Sequence, residues 1–232
     1  MRRILVRLLA VFTAAIAAVV LPPGAAHASA VPVYPGMEIH QDTNLCTLGY
    51  VEPSRRIAVT AGHCRASGTV TDRDGNVIGT LAMYRDNTPN GTTVSTNDSI
   101  NDYEGISLAP DVFPNTVLPG GRSLVTDPSL VIHAGQPVCH YGVVSHETCG
   151  TVEAVYNGWF TMSHGVVSQK GDSGGPVYVV TDDGRAVLVG IFNSTWGDFP
   201  AAVAWNAIRQ QISEDVNAPA APIQRTAWQL PS

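Results

Sequence analysis

Charge is what this chain has least of. Asp, Glu, Lys and Arg make up 14% of its 232 residues, against about a quarter in an average soluble protein. The charge present leans acidic, with 19 acids against 13 bases and a formal net charge of −6. Without a basic surplus the chain lacks the electrostatic footprint that holds nucleic acid or another polyanion, which excludes those partners. Cysteine is limited to four residues, and no Cys-x-x-Cys spacing of the zinc-binding kind occurs. The stretch Asp72-Arg73-Asp74-Gly75-Asn76 is too short for an EF-hand and lacks its closing glutamate, so it reads as a turn. No internal repeat is legible, and beyond residue 30 no apolar run is long enough to cross a bilayer.

Residues 1–30 differ from the rest. Arg2, Arg3 and Arg7 precede an Ala-rich apolar run from Leu8 to Leu21, and small residues follow at Ala26, Ala28 and Ala30. This layout is that of a secretory signal peptide cleaved near Ala30. It predicts a secreted, extracellular protein with no stable membrane anchor. Cleavage would remove three arginines and no acid, leaving 10 bases against 19 acids and a net charge of −9. Four cysteines in an exported chain predict two disulfides, for which sequence alone allows three pairings.

The remaining chain of about 200 residues can bury a substantial core. Short β-rich runs bounded by Gly, Asn, Asp and Pro recur at 45–51, 57–61, 68–71, 77–84, 106–108, 130–132, 138–141, 150–155, 159–162, 176–180, 186–192 and 201–204. Such a pattern predicts an all-β fold of the barrel kind. Asp74-Gly75 and Asp183-Gly184 read as tight hairpin turns. One helix is expected near the C-terminus, where Trp205, Ile208, Ile212 and Val216 share a face. The Pro- and Ala-rich tail after Asn217 reads as loosely ordered. The Pro- and Gly-rich stretch 110–121 is the natural boundary between two units, 31–118 and 119–232.

The chemistry is concentrated in three motifs. In Gly171-Asp172-Ser173-Gly174-Gly175-Pro176 the glycines let the backbone turn tightly, expose the Ser173 hydroxyl and bring amide groups near a reacting carbon. A serine hydroxyl is a poor nucleophile unless a histidine takes its proton, and that histidine needs a buried carboxylate to fix its tautomer. Thr60-Ala61-Gly62-His63-Cys64 offers His63. Asp102 is the candidate carboxylate, because Ile106 and Leu108 continue the alternation of a following strand; Asp98 and Asp111 are nearby rivals. The plainer alternatives are a Gly-rich turn with an idle Ser173 and a structural His63 beside a disulfide.

These motifs, in this order, resemble those of the chymotrypsin/trypsin-like serine proteases, in particular secreted bacterial members of the streptogrisin-like group. The resemblance runs from about Ile39 to the C-terminus. It implies two antiparallel β-barrels with a C-terminal helix, an active site between them, and a catalytic triad of His63, Asp102 and Ser173. It further implies an oxyanion hole from the N–H groups of Gly171 and Ser173, and the pairings Cys46–Cys64 and Cys139–Cys149. Val167 would sit at the base of the substrate pocket, with Ser194, Thr195, Trp196 and Gly197 as its wall. Having no counter-ion for a basic side chain, Val167 points to a small or apolar preference. In the family the residue matching Asp172 makes a buried ion pair that shapes the oxyanion loop. Bacterial members use an arginine just after the cysteine matching Cys139; here His140 stands there, so a His140–Asp172 pair is expected.

The function implied is that of a secreted serine endopeptidase working through an acyl-enzyme, with no metal and no organic cofactor. Its expected partners are a polypeptide substrate and a protein protease inhibitor, and it is expected to be a monomer. The rival is a catalytically weak or inactive protease-fold binding protein. Glu104-Gly105 in place of the family's Ala-Leu, His140 in place of arginine, and the short stretch between Ala30 and the first expected strand favour it. An esterase using the same triad is a third reading. Asn90, Asn97 and Asn193 match the glycan-acceptor pattern, but such three-residue matches arise often by chance.

Overall fold

The computed structural model describes residues 30–87 and 94–217. The expected signal peptide, the tail after Asn217 and the acceptor at Asn90 lie outside the described residues. The strands are β1 (Pro32–Val33), β2 (Glu38–Gln41), β3 (Asn44–Thr47), β4 (Tyr50–Glu52), β5 (Ile57–Thr60), β6 (Thr69–Asp72), β7 (Val77–Asp86), β8 (Asp102–Leu108), β9 (Phe113–Pro114), β10 (Leu124–Thr126), β11 (Pro137–Gly142), β12 (His146–Val155), β13 (Trp159–Ser163), β14 (Pro176–Val180), β15 (Ala186–Trp196) and β16 (Phe199–Ala204). Among the described residues one α-helix follows, α1 (Trp205–Asn217).

The fold is mostly β, in two barrel-like sheets with a C-terminal helix. The first sheet runs in the order β3-β2-β6-β7-β8-β5-β4 and stays open as a half-barrel. The second runs β10-β15-β14-β11-β12-β13-β16 and closes, because β15 pairs with β16 as well as with β14. Both barrels are antiparallel; among the described residues parallel pairing is confined to β1 with β9 and β10 with β15. Burial explains the strand sequences: in β8 every residue except Ser107 is buried, and in β13 the run Trp159 to Met162 is buried throughout. Phe160, Met162, Val177, Val189 and Phe192 fill the second barrel, while Ile39, Val51, Ile78, Tyr103 and Ile106 belong to the first. Each large apolar side chain so buried contributes about 1.5–3 kcal/mol.

Several expected elements differ in detail. The run 45–51 is broken into β3 and β4, because the Thr47 N–H crosses to the Ser173 carbonyl (2.8 Å) and Leu48 N–H turns to Met37 (2.9 Å). Residues 130–132 form no strand; Leu130 and Ile132 pack on the second core from a loop. Strand β2 escapes a search for apolar runs because its Glu-Ile-His-Gln sequence buries only Ile39 and Gln41. Helix α1 spans the expected residues: Trp205 and Ile208 are buried and Ile212 packs half-buried on the same core, but Gln211 is buried as well and Val216 is 62% exposed. Beyond its second turn the helix is held by charge: Arg85 of β7 binds Asp215 and Glu214.

Candidate active site

Strand β5 ends at Thr60 and runs into a single 3₁₀ turn, Gly62–Cys64, which carries His63. The Cys46–Cys64 disulfide ties that turn to β3. Asp102 opens β8 and is fully buried. One carboxylate oxygen, Oδ1, accepts the backbone N–H of His63 at 2.8 Å, and Oδ2 takes the ring Nδ1 at 2.9 Å. With Nδ1–H directed to Asp102, Nε2 is left as the basic nitrogen. Burial of the ring alone would lower the His63 pKa, but the hydrogen bond and charge of Asp102 outweigh it and hold the imidazole above its ordinary value. Of the two rivals, Asp98 accepts the Ser95 N–H in an exposed turn and Asp111 is exposed.

Ser173 sits on the loop between β13 and β14. Gly171 there adopts φ +107, a conformation side chains disfavour, and a Cβ would press on Leu45 and Val144. The N–H groups of Gly171 and Ser173 donate to no acceptor among the described residues. Ser173 Oγ donates to the Asn193 carbonyl at 3.3 Å.

The fully buried Asp172 carboxylate holds this loop in shape. Oδ1 accepts the N–H groups of Val144 (3.0 Å) and Ser145 (3.1 Å), and Oδ2 that of Gln169 (2.7 Å). Gly142 is required beside it, because a Cβ there would run into the Asp172 carboxylate. The expected His140–Asp172 ion pair does not form. His140 is fully buried, its ring packs on Phe192 (4.6 Å), and neither ring nitrogen makes a hydrogen bond of normal geometry. Burial holds its pKa well below the usual imidazole value; the Asp172 charge and the nearby Val167 and Asp172 backbone only partly oppose this. A neutral ring cannot form an ion pair, and three backbone donors do the work instead.

Val167 is 48% exposed and its N–H is fixed by Thr148 Oγ1 at 3.1 Å. Ser168, next to it, shares a 2.9 Å hydrogen bond with Thr195, and Trp196 packs edge-on against Trp159 at 4.5 Å. Gly197 turns the hairpin at φ +60, joining β15 to β16. The structure thus brings the 167–168 segment together with the 194–197 segment. The residue missed by sequence reading is Asn193: it is buried, its carbonyl receives Ser173 Oγ, and its side-chain amide donates to Asp102 Oδ2. Its one sequence signal, the glycan-acceptor pattern, pointed elsewhere.

Two residues along β8, Glu104 is also fully buried. Burial raises its pKa to about 7 even though Gln41 donates to it (2.6 Å) and Arg65 is near. Its other oxygen has no hydrogen-bond partner among the described residues. Cys139, Cys149 and Glu147 come close enough to suggest a metal site, but both sulfurs are joined in the expected second disulfide.

No protein-family model matches the chain. It is 58% identical over 204 residues to the uncharacterized proteins MT1863 and Rv1815 of Mycobacterium tuberculosis, covering 88% of this chain and 92% of theirs. The chain belongs to their family. Among solved structures it resembles Cellulomonas bogoriensis chymotrypsin, with a TM-score of 0.56 and 21% identity over 78% of this chain and 96% of that one. Thermobifida fusca protease A gives 0.54 and 19%, covering 79% and 97%. The chain therefore has the chymotrypsin-like fold of these bacterial serine proteases.

Proposed function

We propose that the protein is a secreted serine endopeptidase. One observation carries the reading: a fully buried Asp102 receives both the backbone N–H and the ring Nδ1 of His63, which leaves Nε2 as a base. Ser173 Oγ would swing from the Asn193 carbonyl to His63, pass its proton to Nε2 and attack the peptide carbonyl. His63 would then return that proton to the leaving amine, and water would release the acyl group by the reverse sequence. The N–H groups of Gly171 and Ser173, which have no acceptor among the described residues, would receive the oxyanion, a role in which one donor is worth about 3–4 kcal/mol. Val167 supports a small or apolar preference, since a basic side chain would find no counter-ion there. Export, with residues 1–30 removed, accords with the two disulfides.

The Ser173–Asn193 hydrogen bond favours a second reading, a latent or inactive protease-fold protein, because it holds Oγ on an acceptor other than His63. Long catalytic hydrogen bonds in unliganded enzymes do not exclude activity. A fluorophosphonate probe followed by intact-mass analysis separates the two. A single adduct that Ser173→Ala abolishes supports the endopeptidase, and a peptide-against-ester panel then distinguishes it from an esterase. Absence of any adduct between about pH 5 and 9 overturns it in favour of the latent protein.

A further inference from the structure

A cavity of about 530 Å³ lies between α1, the 127–132 loop and the turn joining β12 to β13. None of His63, Asp102, Ser173 or Val167 lines it. Its size falls within the range of small-molecule sites, about 300–1,000 Å³.

The charges around it are already used. The Arg85 guanidinium is bound by Asp215 through Nε (2.9 Å) and Nη2 (2.6 Å), and by Glu214 through Nη1 (3.0 Å). The Asp127 carboxylate accepts the N–H and O–H of Ser129 at 2.8 and 2.6 Å. Among the described residues that line the cavity no free cation awaits an anionic ligand, and the Asp127 and Glu214 carboxylates repel one.

Uncharged hydrogen-bonding groups make up much of the remaining lining. Gln211 is 6% exposed; it donates Nε2 to the Ile100 carbonyl at 3.3 Å, and its Oε1 has no donor. Such an orphaned buried oxygen costs about 1–3 kcal/mol, and a ligand donor relieves it once the Gln211 amide turns toward the cavity. The side-chain amides of Asn101 and Asn157 make no hydrogen bond among the described residues, and Asn206 spends only its N–H₂, on the Leu130 carbonyl (3.3 Å). Beside these amides lies an aromatic platform. Tyr156 stacks on Trp159 at 4.0 Å, and Trp159 is fixed by its indole N–H on the Asp98 carbonyl (3.0 Å) and by Trp196 at its edge. A purely apolar ligand would strip water from the amides without replacing it. Hydroxyl groups, which both donate and accept, satisfy them, and a ring with an apolar C–H face rests on Tyr156.

We propose that this cavity binds a neutral, polyhydroxylated ligand of mono- or disaccharide size, at a site separate from the active-site cleft.

The test uses the Ser173→Ala protein, so that its result is independent of the protease reading. Glucose, mannose, galactose, maltose and cellobiose are titrated and followed by backbone and indole NMR shifts, with glucuronate as the charged control. At least one neutral sugar is expected to give saturable shifts at Gly158, Trp159 and the Gln211 amide, with a Kd of about 0.1–10 mM. Tyr156→Ala is expected to weaken it about tenfold, and Gln211→Leu by about fivefold or more. Unchanged shift dispersion elsewhere establishes that both variants are folded, and Tyr156→Ala alone suffices if Gln211→Leu is not. The proposal is overturned by an absence of saturable shifts with all five sugars, by tighter binding of glucuronate, or by shifts that persist undiminished in Tyr156→Ala.

Discussion

The side-chain amide of Asn193 donates to Asp102 Oδ2, the same oxygen that receives His63 Nδ1. With the His63 backbone N–H on Oδ1, the buried carboxylate has three donors that oppose its rotation. A hydrogen bond to a charged group is worth about 1.5–3 kcal/mol, so Asn193→Ala is expected to lower kcat about ten- to a hundredfold with little change in KM. Asp102→Asn should cost about 10⁴-fold, the scale of triads that lose the correct tautomer. Steady-state kinetics on the peptide or ester substrate found by profiling checks both.

His63 must be neutral to accept a proton, and Asp102 favours its charged form. The rate should therefore rise with pH through a pKa above the ordinary value of about 6.5, and fall on the acid side of it. Single-turnover acylation across the pH range, matched to the His63 ring signals in NMR, is the measurement. An acid limb centred below about 6.5 would count against the Asp102 contact acting on the ring.

Glu104 makes the fold sensitive to pH in its own way. Burial raises its pKa from 4.5 to about 7, so the native state holds this proton more tightly than the unfolded chain does. The stability that proton confers is fully present below the unfolded pKa and is lost as pH rises through 7. Glu104→Gln, uncharged throughout, should be more stable than the parent at pH 8 by up to about 3 kcal/mol and indistinguishable from it at acidic pH. Urea denaturation at several pH values reads this directly.

His140 acts in the opposite sense. Burial depresses its pKa, so the unfolded chain binds a proton that the native state refuses, and stability falls as pH drops below the unfolded value of about 6.5. The two slopes overlap and oppose each other, so each single substitution unmasks the other. His140→Gln should flatten the acid loss while leaving the pH–rate profile above neutrality unchanged, since Asp172 is held by backbone donors and not by the ring. A shifted neutral pH–rate profile in this variant would restore the ion-pair explanation.

Arg85 joins the first sheet to the helix that follows the second, through Asp215 and Glu214, and the Tyr103 hydroxyl donates to the same Asp215. Asp215→Ala leaves a partly buried Arg85 and Tyr103 without their shared partner. A loss of about 1–2 kcal/mol is expected in denaturant unfolding, with faster amide exchange in the last turn of α1.

The sequence by itself determined the fold class and the candidate groups, because these depend on short-range rules. Alternating apolar residues and Gly-, Asn- and Asp-bounded turns mark strands wherever one face is buried, and the motifs around His63 and Ser173 are contiguous. Trp205 and Ile208 marked the start of α1 for the same reason. What only the tertiary structure decided were relations between residues far apart in the chain. Asn193 lies 91 positions from Asp102, and nothing in its neighbours signals that its amide reaches that carboxylate. His140 stands where a charged partner for Asp172 was expected, yet complete burial keeps its ring neutral and backbone N–H groups take its place. Burial is set by what the rest of the chain stacks around a residue, and so the protonation of His140 and Glu104 follows from packing that no local pattern encodes.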